Sequence, residues 1–269
     1  MNHLGKAIRL RRLLRNDRCT LIVAFDHALV LGPIPGTRDP RGQIERIATA
    51  GADAILLNLG LFQHCAHPQS SVPIPPLIAR LDWTTAFSEA GKSDSNAFRS
   101  CLLGKPEDAL QAGADAVITY MTIGSGDLNF ERDEIERTAQ IARGCERTGL
   151  PLIVETIARG PAVKNPLDPS WLLTHTRRAV ELGADAIKTE FTGDADTMRD
   201  VVKACPIPIL VLGGTRMNSD DQVVQVTGEI VRSGAAGIFF GRNIFQSEHM
   251  PQLMQKIHAV LRESPARRG

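Results

Sequence analysis

The chain is predicted to be a single (β/α)8 barrel, a TIM barrel of the α/β class. Three observations carry this. Apolar strand-like runs alternate with amphipathic helical segments along the whole chain. There are eight such runs in 269 residues, and about 250 residues is typical of that architecture. The runs are continuously apolar rather than alternating, as parallel strands covered on their outer face should be. A doubly wound open sheet would show a similar order, but no Gly-x-Gly-x-x-Gly follows the first run.

Residues 1–18 should hold a first helix. Its segment Lys6-Ala-Ile-Arg-Leu-Arg-Arg-Leu-Leu-Arg15 is basic and amphipathic, and it offers Leu10, Leu13 and Leu14 to the domain. A transit peptide has a similar character, but this segment leads straight into a strand with no serine-rich tract. Strands are expected over residues 21–25, 54–57, 77–81, 116–120, 152–155, 186–189, 209–212 and 237–240. Helices with 3.6-residue spacing are expected over 41–50, 131–148, 169–182, 195–204 and 222–233. Gly51, Gly113, Gly149, Gly183 and Gly234 each follow a helical segment, as helix-ending glycines do. Residues 58–76 and 84–103 are the least regular. The second stretch, rich in Ser, Lys, Asp and Asn, is read as a mobile loop over an active site. No interdomain linker is visible, so residues 1–269 read as one domain.

Composition excludes several functions. A net charge of +1 gives no argument for nucleic acid or an acidic membrane surface. No apolar run approaches the ~20 residues of a membrane helix. Five scattered cysteines without a Cys-x-x-Cys argue against a disulfide framework and suit a reducing cytoplasm. His64-x-x-His67, with Cys65 between, invites a zinc reading but lacks a third ligand at a helpful spacing. No metal and no cofactor are expected.

One lysine breaks a repeat. Four segments share a lead-in: Gly51-Ala-Asp-Ala-Ile-Leu-Leu57, Gly113-Ala-Asp-Ala-Val-Ile-Thr119, Gly183-Ala-Asp-Ala-Ile-Lys-Thr189 and Gly234-Ala-Ala-Gly-Ile-Phe-Phe240. Their sixth position is Leu56, Ile118, Lys188 and Phe239. Among seven lysines only Lys188 lies inside an apolar strand pattern. Burial favours the neutral amine, and a neutral amine can attack a carbonyl to form a Schiff base. The bland alternative is a structural lysine paired with Glu190 or Asp26.

Barrel active sites lie at the C-terminal ends of the strands. Those positions hold Asp26 and His27, Asn58, Arg80 and Asp82, Thr119 and Tyr120, Glu155, Lys188 and Glu190. Asp26 can move protons and hold charge near an imine, or cap a helix. His27 reads as catalytic or as a structural hydrogen-bonding residue. Glu155 reads as a general acid or base, or as a salt-bridge partner of Arg159 or Lys188. Tyr120, the only tyrosine, reads as an acid or as packing. Gly213, Gly214, Gly241 and Arg242 follow the last two strands, where barrels often bind phosphate. Glycines expose backbone N–H groups, and arginine adds a guanidinium fork. A phosphorylated small-molecule substrate is therefore expected.

Taken in order, Ala24-Phe-Asp-His27, Gly183-Ala-Asp-Ala-Ile-Lys-Thr-Glu-Phe-Thr-Gly-Asp194, Pro208-Ile-Leu-Val-Leu-Gly-Gly214 and Gly241-Arg-Asn-Ile-Phe-Gln246 resemble the DhnA-type class I aldolases. That family includes archaeal-type fructose-1,6-bisphosphate aldolase, aminodideoxyheptulosonate synthase and the autoinducer-2 phosphate thiolase. The resemblance implies a TIM barrel, a Schiff base on Lys188, a first-strand aspartate at Asp26 and phosphate loops at Gly213, Gly214, Gly241 and Arg242. It also implies a homo-oligomer, since several members form decamers. One departure matters. The archaeal aldolases and heptulosonate synthases carry a catalytic tyrosine in a Tyr-Pro-Arg-Gly sequence, whereas this chain reads Glu155-Thr-Ile-Ala-Arg-Gly160. The matching position is Ile157, which cannot transfer a proton. Arg216 also stands where a lysine is common.

The expected function is therefore a class I carbon–carbon lyase acting on a phosphorylated ketose or related keto compound. An imine-dependent acyl or ketol transferase and a non-catalytic sugar-phosphate-binding protein are the alternatives.

Overall fold

A computed structural model of the chain describes residues 4–65, 72–88, 91 and 98–263. In chain order the strands are β1 (Thr20–Ala24), β2 (Ala54–Asn58), β3 (Leu77–Arg80), β4 (Asp82–Thr84), β5 (Ser100–Leu102), β6 (Ala116–Ile123), β7 (Leu152–Ala158), β8 (Ala186–Thr189), β9 (Ile209–Leu212) and β10 (Gly237–Phe240). Eight of them close into a barrel in the order β1-β2-β3-β6-β7-β8-β9-β10, with β10 returning to β1. Every barrel pairing is parallel. Each of the eight apolar runs is one of these strands.

The helices are α1 (Leu4–Leu13), α2 (Ala28–Leu31), α3 (Pro40–Thr49), α4 (Leu59–Cys65), α5 (Pro106–Gln111), α6 (Leu128–Thr148), α7 (Pro169–Leu182), α8 (Ala195–Ala204), α9 (Asp220–Arg232), α10 (Arg242–Phe245) and α11 (Met250–Arg262). Their ends follow from local chemistry. Asp127, Asp168 and Asp194 accept backbone N–H groups of the first turns of α6, α7 and α8. Gly149 and Gly183 end α6 and α7 in the left-handed region, at φ 69° and 101°.

Two apolar layers result. The outer layer packs strands against helices, with Val23, Leu57, Val117, Val154, Ile187 and Val211 among its members. The inner layer fills the barrel and includes Ile22, Leu56, Ile118, Ile153, Leu210 and Phe239. Leu13 of α1 joins the inner layer and is 1% exposed, so the first helix stops the lower end of the barrel. Leu14 packs beside it, whereas Leu10 stays partly exposed.

The repeated Gly-Ala-Asp lead-in has a mechanical purpose at this lower end. Asp53, Asp115 and Asp185 stand before β2, β6 and β8. Their carboxylates accept the backbone N–H of Leu21, Leu77 and Leu152, at 2.8, 3.3 and 2.8 Å. Each aspartate thus fixes the register of the preceding barrel strand. Buried or half-buried cations then meet the same carboxylates. Arg18 grips Asp53 with both Nη atoms at 2.6 and 2.8 Å, and Lys6 reaches Asp185 at 2.9 Å.

Two features differ from the sequence expectation. First, β4 and β5 form a separate antiparallel ribbon, pairing Asp82 with Leu102, Trp83 with Cys101 and Thr84 with Ser100. The irregular stretch 84–103 is therefore drawn together at its base; residues 89–90 and 92–97 lie outside the described residues. Second, β6 and β7 stay paired beyond the expected ends, through Thr122 with Ile157 and Ile123 with Ala158. Ile157 thus belongs to a strand rather than to the loop after it.

Candidate active site

The fourfold comparison of the sequence is spatial as well. Leu56, Ile118, Lys188 and Phe239 occupy matching positions on β2, β6, β8 and β10, which alternate around the barrel. In such barrels an interior layer draws its four side chains from alternate strands. Lys188 takes one seat of that layer. It is 5% exposed, and its Nζ lies 4.6 Å from the Phe239 ring centroid.

Its amine is not alone. Lys188 Nζ lies 2.7 Å from Glu155 Oε1, across the β7–β8 register pair. The pairing left open for Glu155 is thus made with Lys188, and neither Asp26 nor Glu190 holds the amine directly. The other Glu155 oxygen accepts from Arg80 Nη2. Arg80, 2% exposed, also donates from Nε to Asp26 Oδ2 at 3.0 Å. One guanidinium therefore bridges Asp26 and Glu155. Its Cζ lies over the Tyr120 ring, 3.6 Å from the centroid, a buried cation–π contact.

The electrostatics follow from this geometry. Burial pushes the Asp26 carboxyl up, but Arg80, then His27 and Lys188, outweigh it and hold it below the usual carboxylate range. Burial acts likewise on Glu155, and Lys188 with Arg80 again prevails. Both carboxylates are thus kept ionised. Burial drives the Tyr120 phenol well above its ordinary value despite Arg80. Tyr120 also packs on Phe87 at 5.7 Å. Its geometry suits the packing reading better than the acid reading.

Behind Arg80 the charges continue. Asp82 accepts the Thr119 hydroxyl at 2.6 Å and the Tyr120 N–H at 2.9 Å, and it pairs with Arg137 at 3.3 Å. Arg137 of α6 pairs in turn with Glu134, which accepts the Thr122 N–H at 2.7 Å. Burial raises the Asp82 carboxyl to about 6.

The late-strand loops meet the same mouth. Gly214 has φ 63°, the left-handed region that favours glycine. At Gly241 a Cβ would stand 2.2 Å from His27 Cε1, so His27 packs directly on that loop. His27 also lies edge-on to Phe245 at 5.3 Å and 3.6 Å from Asp26. Burial lowers its imidazole. Arg242 donates to the Gly214 carbonyl at 3.0 Å, tying the two loops together.

Sequence reasoning named most of these residues but missed three roles. Arg80 and Asp82 were strand-end groups without partners. Asn243 was passed over inside the Gly241-Arg-Asn motif. It is buried and clamps the loop after β9: its Nδ2 donates to Gly213 O and Thr215 O, and its Oδ1 accepts the Met217 N–H at 2.7 Å. A polar side chain directly after Arg242 was the available signal. Of the zinc motif, His64 lies on α4 and His67 lies outside the described residues.

Known proteins agree with this architecture. Residues 20–247 match the DeoC/LacD family aldolase profile. A Halobacterium salinarum protein named 2-amino-3,7-dideoxy-D-threo-hept-6-ulosonate synthase is 33% identical, over 98% of this chain and 94% of its own length. A Thermoproteus tenax class 1 fructose-bisphosphate aldolase is 32% identical, over 84% of this chain and 83% of its own. A crystal structure of an archaeal fructose-1,6-bisphosphate aldolase, with its catalytic lysine covalently bound to a carbinolamine intermediate, superposes with a TM-score of 0.82 at 27% identity. That match covers 96% of this chain and 99% of the other. The chain belongs to the DeoC/LacD aldolase family and is a class I aldolase.

Proposed function

We propose that Lys188 attacks the carbonyl of a phosphorylated ketose or related keto compound, and that a carbon–carbon bond breaks or forms on the resulting imine. One observation carries the reading. The only lysine of the inner barrel layer, among the described residues, lies 2.7 Å from a carboxylate that can take its proton. Glu155 accepts the ammonium proton, and the free amine adds to the ketone. Asp26, kept ionised by Arg80, serves proton transfer on the carbinolamine and steadies the iminium charge. His27 fixes the Gly241 loop, and Tyr120 supports Arg80.

The phosphate is assigned to Gly213, Gly214, Gly241 and Arg242. The first turn of α10 leaves N–H groups without intrahelical acceptors, and a Cβ at Gly214 would meet only open space. Anchoring one end of the substrate aligns the reacting bond with the amine. The names of the relatives, a fructose-bisphosphate aldolase and a heptulosonate synthase, support a sugar-phosphate class.

A second reading is transfer of an acyl or ketol group to an acceptor; Ile157 stands where the archaeal aldolases and the heptulosonate synthases alike carry a proton-transferring tyrosine, which sets this chain apart from both. Product analysis with and without an acceptor such as coenzyme A separates the two. No helix among the described residues is long and apolar enough to cross a membrane. We take the chain to act as one barrel domain in a homo-oligomer of the cytoplasm. Borohydride reduction in the presence of dihydroxyacetone phosphate should add the ketone's mass to the peptide holding Lys188. Lys188→Ala should abolish the adduct, and an adduct elsewhere would sink the assignment.

A further inference from the structure

We propose that Glu190 is the proton-transferring group of the carbon–carbon step, in the role that Ile157 cannot fill. The inference deepens the Lys188 imine reading and rests on it.

The placement follows from β8. Ala186 lies in the inner layer, and Ile187 lies in the outer one. Phe191 packs against the outer layer again. Alternation therefore turns Glu190 to the face of Ala186 and Lys188, one step nearer the mouth. The groups that act on its carboxyl are Arg159 and Glu155 from β7 and its end, and Lys188 from β8, which ends one residue before it. Arg159 in turn caps the Phe87 ring at 4.8 Å, on the rim of the same mouth.

The other candidates are occupied. Glu155 is held between Lys188 and Arg80. Asp26 is held by Arg80. The Tyr120 phenol lies under the Arg80 guanidinium. Ile157 offers no proton. Glu190 alone among the mouth carboxylates has no hydrogen bond or ion pair to the described residues, and it is only partly buried. Burial raises its carboxyl, with Arg159 offsetting part of the rise. A carboxyl raised above its usual range holds the proton it takes more firmly and can return it in a later step.

The step balances without a further reactant. With the ketone bound as an iminium on Lys188, the Glu190 carboxylate takes the proton of the hydroxyl on the far carbon. That oxygen's electrons form the aldehyde carbonyl. The breaking carbon–carbon bond's pair moves into the iminium, giving a neutral enamine. The aldehyde leaves. The Glu190 carboxylic acid then returns its proton to the enamine carbon, and water hydrolyses the restored iminium.

The test uses the full chain with dihydroxyacetone phosphate in D2O. Two readings are taken: borohydride trapping on Lys188, and exchange of the proton on the carbon beside the ketone. Glu190→Gln should trap the ketone as the wild-type does, while exchange falls by about 10²-fold or more. Glu190→Asp should recover part of the exchange. Unchanged exchange in Glu190→Gln overturns the assignment, and so does loss of trapping in step with exchange, which is what a structural role predicts. A wild-type chain that traps no ketone overturns the Lys188 reading itself, and the Glu190 proposal with it.

Discussion

Both ends of the barrel bury charge, but they treat it differently. At the foot, Asp53 and Asp185 each meet a backbone N–H and a cation, and each oxygen contact has a plain structural use. At the mouth, Lys188, Glu155, Arg80 and Asp26 form a chain of ions that fixes no strand register. Buried side-chain polar atoms without a hydrogen bond, among the described residues, tell the same story. They belong to His27, Asn58, Arg80, Asp82, Thr122, Glu134, Arg137 and Arg242 at the mouth or in the ion network behind it, and otherwise only to His175. Some of these atoms face an opposite charge, as Glu134 Oε1 faces Arg137 and Asp82 Oδ1 faces Arg80, and buried polar groups short of a hydrogen bond gather where proteins do chemistry. The foot is organised for stability and the mouth for chemistry.

Exchanging cations for apolar residues tests that division. Lys188→Met should lower turnover by at least about 10⁴-fold, the scale of losing a nucleophile. Methionine suits a layer otherwise filled by Leu56, Ile118 and Phe239, so thermal unfolding should shift little or upward. A large fall in melting temperature would place Lys188 with the foot residues. Arg80→Gln should reduce kcat/KM by about 10²-fold. The sign of its pH effect is fixed. Arg80 lowers the Asp26 carboxyl, so its removal lets Asp26 protonate at higher pH, and the acid limb of the rate profile should move upward. A limb that stays in place would show that Arg80 does not govern the ionisation of Asp26.

The foot should answer in stability alone. Lys6→Met removes the buried amine that faces Asp185 and Glu146. Denaturant unfolding should report a loss of about 2 kcal/mol, with kcat unchanged. The smallest effect concerns Asp82. Its folded carboxyl, raised from 3.8 to about 6, binds protons more tightly than the unfolded one. Stability from this group is therefore greatest at low pH and falls as pH rises from about 4 to about 6. Asp82→Asn should flatten that slope in unfolding curves taken across the interval.

The barrel was legible because each barrel strand is a local apolar run and the five expected helices carry their own period. Lys188 was legible by comparison with its three counterparts. Arg80 was legible as a strand-end group of the site, but not as the bridge between two carboxylates. Its partners lie 54 and 75 residues away, and no local pattern records them. The β4–β5 ribbon escaped for the same reason: three-residue strands are too short to show a period. Ile157 was recognised as a missing tyrosine, but only the long pairing of β6 with β7 reveals it as a strand residue on the face of Glu155.

The Leu13 stopper has a consequence for traffic. With Leu13 below and the inner apolar layer filling the interior, the barrel is a well and not a tunnel. Whatever reaches Lys188 comes and goes by the one doorway at the C-terminal ends of the strands, beside the loops after β9 and β10. Arrivals and departures therefore queue on the same side of the molecule.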